Sequence, residues 1–405
     1  MVVGAGAAGA MAAIFAASAG ADTLLLERTS DGGRKILISG GGRCNVLPAR
    51  LDEGRFVTDS SPNTLRKIVR SWPLPEQIRF FEQDLGIALS EESETAKLFP
   101  VSNRARDVRD GLFAFARQRG ARLLMDTRVT DIVRNGTGWQ IKCDQATPIE
   151  ADAVVVAMGG LSVPNTGSDG TGLRILDRLG HTLHPTYAAL TPITAQPPPF
   201  AALAGISLRV TLSAHSAERN ATASGGFLFT HRGYSGPAVL DVSHVIARAR
   251  AGHSESSARI RVRWTRHEDQ AWEALLRPHG ARSVATVLRA ELPDRLALAL
   301  LDAANVQPAR LLADLTREER RRLIDTLVRS DLPWTGDEGY KKAEVTGGGV
   351  RLSEIDPRTM ESRLHPGLFL CGEVLDAFGP IGGYNFLWAW ATGRVAGQHA
   401  ARNPE

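Results

Sequence analysis

Three glycines carry the clearest chemical message, in the run G4-A-G6-A-A-G9. That spacing suits a turn that receives a pyrophosphate: Gly4 takes the tight turn, Gly6 lets backbone approach the phosphates, and Gly9 lets a helix pack on the preceding strand. Ala7 and Ala8 open that helix, whose first N–H groups point at the anion. Glu27 follows 18 residues past Gly9, at the end of the apolar run Thr23 to Leu26, which reads as a second strand. A carboxylate at that place accepts hydrogen bonds from ribose hydroxyls, with Arg28 beside it. One such fingerprint names a dinucleotide site and leaves NAD and FAD open.

The flanking motifs choose between them. After Glu27 comes R34-K35-ILI-S39-G40-G41-G42-R43-C44-N45. A second glycine loop so close to the ribose carboxylate is superfluous for NAD and suits a longer cofactor tracked by backbone, which is FAD. Arg34 and Lys35 either offset pyrophosphate or flavin charge or form a solvated basic pair. Near the other end, Leu368 to Cys371 reads as a buried strand leading to Gly372 and Glu373, whose carboxylate is placed to bond a ribityl chain. Gly382 and Gly383, followed by Tyr384 and Asn385, open a helix whose N-terminus suits the electron-rich N1/O2 edge of a flavin. The apolar run from Asp152 to Met158 reads as a buried parallel strand, with Gly159 and Gly160 at its cofactor end. Trp388 and Trp390 are expected to pack in the core.

Together, GAGAAG, RKILISGGGRCN, FPVSNRARDV, GGLSVPNTGSDGTG, FTHRGYSGPAVLDVS, AEVTGGGV, TMESR and CGEVLDAFGPIGGYN resemble the BaiN/RdsA-like (YhiN-type) family of FAD-dependent oxidoreductases. The motifs run from residue 4 to about residue 397. The resemblance implies an α/β fold: a Rossmann-type FAD domain split into N- and C-terminal parts, a small β-barrel and a helical insert. It also implies that Val129 holds adenine by backbone contacts. The chain departs from the family at Val163, where an aromatic often stands.

Flavin chemistry passes a hydride at N5, and the protein supplies binding, orientation and electrostatics. Saturating an activated C=C bond also needs a proton. Cys44, His231 and Tyr384 are the candidate donors; each also has a structural reading, as a packing thiol, a turn histidine and a wall of the flavin pocket. The family is linked to double bonds in bile-acid intermediates and in uridine of ribosomal RNA. A C=C reductase driven by NAD(P)H is therefore expected, with an RNA uracil ring or a small cyclic enone as substrate. With a single fingerprint in the sequence, NAD(P)H binds transiently. The reading from another class is a flavin-binding redox sensor without turnover. No metal site and no stable protein partner are expected.

The elements that position these residues follow from pattern. Arg128 to Val133 and Trp139 to Cys143 read as a ribbon turning at Asn135-Gly136. The proline-rich PITAQPPP from Pro192 marks a boundary. Beyond it, Ile206 to Ala214, Gly226 to Thr230 and Ala258 to Trp264 read as strands, and residues 266–332 as helices, with Thr316-Arg-Glu-Glu as a capping box. The expected division is 1–188 and 351–405 for the FAD domain, 189–264 and about 336–350 for the barrel, and 265–335 for the helical insert. Arg320, Arg321 and Arg322 form either a wet helix face or an RNA phosphate contact.

Composition bounds the rest. The chain has 405 residues, 43% apolar, with net charge +4 and pI near 9.1; only six of its 48 basic residues are lysine. None of the first 21 residues is Lys or Arg, which argues against a secretion signal, and no stretch reaches about 18 unbroken apolar residues. Three widely spaced cysteines give no disulfide framework, so a cytoplasmic location is expected. The first strand is short: either Met1 is not the true start or the sheet begins with a stub.

Overall fold

The computed structural model describes residues 1–144, 147–252 and 258–402. Two compact units emerge, Met1–Tyr187 with Glu344–Glu405, and Ala188–Ala343.

The first unit is built on a five-stranded parallel sheet, in the order Leu368–Leu370, Val154–Val156, Val2–Val3, Leu24–Leu26, Arg122–Leu124. All but Arg122–Leu124 are unbroken Val, Leu and Phe runs, nearly all buried. Alternation is absent because helices cover both faces of such a sheet. Val2 lies opposite both Val155 and Leu25. The chain order reverses at this first strand, which makes its carboxyl end a topological switch point.

Two helices fix that end. Ala7–Ser18 is almost wholly alanine, glycine and small apolar residues, and the helix Tyr384–Ala400 lies against it. The approach is close because of Gly393 and Gly397. A Cβ on either would stand 2.3 Å from the Ala8 carbonyl oxygen or 2.2 Å from that of Ala12. Sequence thus sets the separation of the two helices, and the separation sets where their N-termini point. The expected ribbon is present as Val129–Asn135 paired with Gly138–Cys143, with Gly136 at φ +58° in the turn.

The second unit is a seven-stranded sheet, in the order Ser330–Asp331, Arg259–Arg263, Ser207–His215, Asn220–Phe229, Gly233–Ser235, Ile193–Thr194, Gly336–Asp337. Its pairings are antiparallel. One face, with Val210, Leu212, Ile260 and Val262, is buried in a core shared with the helix Pro237–Ala251. Four further helices between Asp269 and Arg329 join the same core. The capping box is present: Glu319 N–H donates to Thr316, and Thr316 N–H to Glu319.

Two expectations about this region change. The expected barrel and helical insert share one core in a single unit, and the described strands form a sheet whose end strands are paired on one side only. The strand Val345–Val350, expected with the barrel, belongs to the first unit and pairs with Leu183–Ala189. Three consecutive glycines there are required by packing: a Cβ at Gly347 would run into the Tyr187 ring at 2.3 Å.

Candidate functional site

A cavity of about 440 Å³ opens at the carboxyl ends of the parallel strands, lined entirely by the first unit. The glycine turn forms its floor. Gly4 sits at φ +101°, and a Cβ there would lie 2.5 Å from the Ala157 carbonyl oxygen. A Cβ at Gly9 would lie 1.8 Å from the Gly4 carbonyl oxygen, so Gly9 packs helix on turn and does not line the cavity. Gly6 differs: a Cβ there meets nothing within 4 Å, so its backbone faces open space. Gly4, Gly6, Ala7 and Ala8 line that space.

Glu27 is fixed from three directions. Its carboxylate accepts from Ala5 N–H at 2.8 Å, Thr29 N–H at 2.8 Å and Thr29 Oγ1 at 2.7 Å. A carboxylate has about four lone-pair sites, so one remains for a sugar hydroxyl. Arg28 pairs with Asp169 across the cavity rim. Burial opposes the Asp169 charge, but hydrogen bonds from Thr171 and Arg28 outweigh it and hold its carboxyl down to about 2. Val129 lines the same end, with Thr127 and Arg128.

The second glycine loop forms a wall. Gly40, Gly41 and Gly42 all take left-handed φ, +56°, +69° and +86°, a conformation costly for residues with a Cβ. Ser39, Gly40, Gly41 and Asn45 line the cavity; Gly42, Arg43 and Cys44 do not. Arg43 instead lies 4.1 Å over the Phe99 ring and pairs with Glu92 at 3.0 Å. Cys44 is fully buried, and burial pushes its thiol up to about 12. It packs in the core behind the loop.

The opposite wall comes from the C-terminal part. Lys35 Nζ donates to Glu373 Oε2 and to Ser162 Oγ, both at 2.6 Å. Glu373 Oε1 accepts from Ser162 Oγ at 2.6 Å and Thr346 N–H at 2.9 Å. Glu373, expected to stand ready for a ribityl chain, is thus already engaged by Lys35 and two further donors while still lining the cavity. Gly160 lies behind this group: a Cβ there would be 2.4 Å from Thr346 Oγ1. Gly159 and Gly372 line the cavity, and Arg34 does so while bonding Asp31 at 2.7 Å.

Gly382, Gly383 and Asn385 bring the N-terminus of Tyr384–Ala400 to the cavity. The Asn385 amide is tied to Gly379 through both its oxygen (2.9 Å) and its nitrogen (3.0 Å). Tyr384 turns away: its hydroxyl donates to Arg50 O at 3.4 Å and accepts from Asp52 N–H at 3.2 Å. Trp388 and Trp390 are buried, donating to the Gly372 and Val46 carbonyls. His231 lies in the second unit, exposed on a turn.

Of the three candidate proton donors, then, Cys44 and Tyr384 are engaged outside the cavity, and none of the three lines it. Lys97 and the segment Thr166 to Asp169 also line it, beyond the residues expected from sequence; Lys97 packs beside Gly382 across a gap in sequence that no local pattern bridges. Val163 lines it too, at φ +47°, an unusual conformation for a β-branched residue. The arrangement suits an extended dinucleotide: open backbone at Gly6, an anchored sugar-binding carboxylate, and two helix N-termini at one cavity.

The family model described as HI0933-like protein Rossmann domain matches residues 1–399. The chain is 31% identical over 398 residues to a ribosomal RNA dihydrouridine synthase of Escherichia coli (strain K12), covering 98% of this chain and 96% of that one. It is 31% identical over 410 residues to a 3-dehydro-bile acid delta(4,6)-reductase of Clostridium scindens, covering 100% and 99%. The crystal structure of a 3-ketosteroid delta1-dehydrogenase from Sterolibacterium denitrificans shares the fold, with TM-score 0.53 at 13% identity over 99% and 98% of the two chains. The chain belongs to the HI0933-like Rossmann family and is a flavin-dependent oxidoreductase, the class its motifs implied.

Proposed function

We propose that this HI0933-like flavoprotein holds FAD in the first-unit cavity and reduces a carbon–carbon double bond of uridine in ribosomal RNA, with NAD(P)H as electron source. The observation that carries the cofactor assignment is the open backbone of Gly6 lining one cavity beside the anchored carboxylate of Glu27. The names of the two relatives support the reaction class, since dihydrouridine formation and a delta-reductase both saturate a ring C=C bond. The second of them favours a small cyclic enone as the competing substrate.

Bound FAD, once reduced by NAD(P)H, would supply a hydride from N5. The chain's residues do the rest. The turn from Gly4 to Ala8 would offer N–H groups to the pyrophosphate, Glu27 would accept from the adenosine ribose, and Val129 would hold adenine by its backbone. The glycine loop at Gly40 and Gly41 admits the cofactor closely, and the N-terminus at Gly383 favours negative charge on the pyrimidine edge. Lys35 would orient Glu373 beside that edge through its hydrogen bond. Phe386, Trp388 and Ala389 line the cavity with apolar surface. Cys44, His231 and Tyr384 do not line the cavity, and none of the three is assigned the proton.

The test is to incubate ribosomal RNA with the purified protein, FAD and NADH or NADPH, and to count dihydrouridine by mass spectrometry. A gain over the no-protein control supports the reading. Flavin that bleaches with NAD(P)H and recolours with a cyclic enone, with no gain in RNA, replaces the substrate by the small one. Flavin that neither nicotinamide bleaches favours the redox sensor.

A further inference from the structure

We propose that the outer face of the second unit's sheet is the surface on which the RNA phosphate backbone docks; this rests on the RNA reading above and names its interface. Side chains alternate across a strand, so Ser207–His215 sends Val210, Leu212 and Ala214 into the core and Arg209, Thr211, Ser213 and His215 outward. The pairing register then assembles cross-strand rows. Arg263 lies opposite Thr211, which lies opposite Ser224; Arg261 lies opposite Ser213, and Ser213 opposite Thr222. Arg259 lies opposite His215, and His215 opposite Asn220.

The outer face is therefore arginine along one strand at about 7 Å intervals, beside two columns of hydroxyls. Those hydroxyls are preset by bonding each other, Thr211 to Ser224 at 2.8 Å and Ser213 to Thr222 at 3.3 Å. Arginine and hydroxyl side chains are the common donors to nucleic-acid phosphates. Among the described residues, Arg209 and Arg259 have no ion-pair partner. Arg261 pairs with Asp331 at 3.1 Å and Arg263 with Glu268. Both acids are well exposed, and such pairs are held weakly enough to exchange for phosphate.

Charge is divided unevenly between the units. Residues 188–343 hold 21 basic and 16 acidic side chains, and the rest of the chain holds 27 and 28. The basic excess of the protein therefore lies wholly in the second unit. The alternative basic site, Arg320 to Arg322, is largely committed: Arg320 pairs with Glu273 at 3.0 Å and Arg322 donates to the Ala304 carbonyl at 3.2 Å.

The experiment measures binding of a fluorescent ribosomal RNA fragment by anisotropy across a salt series, with dihydrouridine yield and flavin content read on the same preparations. Replacing Arg209, Arg259, Arg261 and Arg263 by Gln is expected to weaken binding at least about tenfold. The slope of log K against log salt should fall by about 0.7 for each phosphate that the variant no longer neutralises. Flavin content should be unchanged, and Arg321→Gln should bind as the parent does. Arg209→Gln alone, expected to lower affinity and to reduce the slope by the share of one phosphate, serves if the quadruple variant does not fold. A parent that makes dihydrouridine while these variants bind RNA as well as it does overturns the docking face and spares the RNA reading. A parent that neither binds nor modifies RNA overturns both.

Discussion

The two units shape their surfaces by different means. In the first, backbone does it: Gly4, Gly40 and Gly383 take left-handed φ where a Cβ would meet neighbouring atoms, and the Glu27, Asp169 and Glu373 carboxylates at the cavity are each held by several partners. In the second, regular strands carry long cations on one face and a hydrocarbon core on the other. A cofactor with two rigid ring systems is met by a preformed backbone mould. On the proposed reading, a flexible polyanion is met by side chains that adjust. The contrast teaches where mutation acts: on shape in one unit, on charge in the other.

The largest effect that sharpens this contrast is expected from acid. Burial, with Arg219 adding to it, pushes the His244 imidazole down to about 3. The unfolded chain therefore takes this proton first. Stability of the second unit is full above about pH 6.5 and falls as pH drops towards 3, by about 1.4 kcal/mol per pH unit. Asp169 in the first unit is depressed to about 2, so its contribution is lost only below about pH 3.8. Tryptophan fluorescence of the second unit should change at higher pH than flavin is released, and His244→Gln should flatten the first transition. Simultaneous transitions with no response to the substitution would break the comparison.

Next come the paired glycines. Gly9→Ala drives a Cβ into the Gly4 carbonyl and should cost about 3 kcal/mol by thermal melting, with loss of flavin. Gly6→Ala, which meets nothing within 4 Å, should melt within about 0.5 kcal/mol of the parent and still hold flavin poorly. Equal destabilisation by both would remove the distinction between packing and cofactor glycines. Lys35→Met leaves Glu373 with its Ser162 and Thr346 donors only; FAD affinity by titration should fall by about 1–2 kcal/mol, because an acid deep in the site has lost its cation. The smallest effect is expected from Cys44→Ala. Its thiol is fully buried, so turnover should match the parent; a large loss would return it to the chemistry.

Much of the fold is legible in the sequence. The parallel strands read as apolar runs because both of their faces are buried. The glycine turn reads correctly because its spacing follows from helix-on-strand packing, which Gly9 displays. What escapes depends on distance along the chain or on side-chain direction. Lys35 and Glu373 lie 338 residues apart, so a pair between them leaves no local trace. Tyr384 and Arg43 sit in the right motifs, but their side chains find nearer partners, the Arg50–Asp52 backbone and the Phe99 ring. The strand Ser330–Asp331 is two residues long, too short for any periodicity, and it lies where a helical pattern dominates.

The most direct measurement is the flavin stoichiometry of protein purified, loaded with FAD and passed through a desalting column, compared with Gly6→Ala treated alike. One FAD per chain in the parent and a clear loss in the variant is the expected result. A parent that stays colourless after loading would contradict the assignment of the first-unit cavity and the chemistry built upon it.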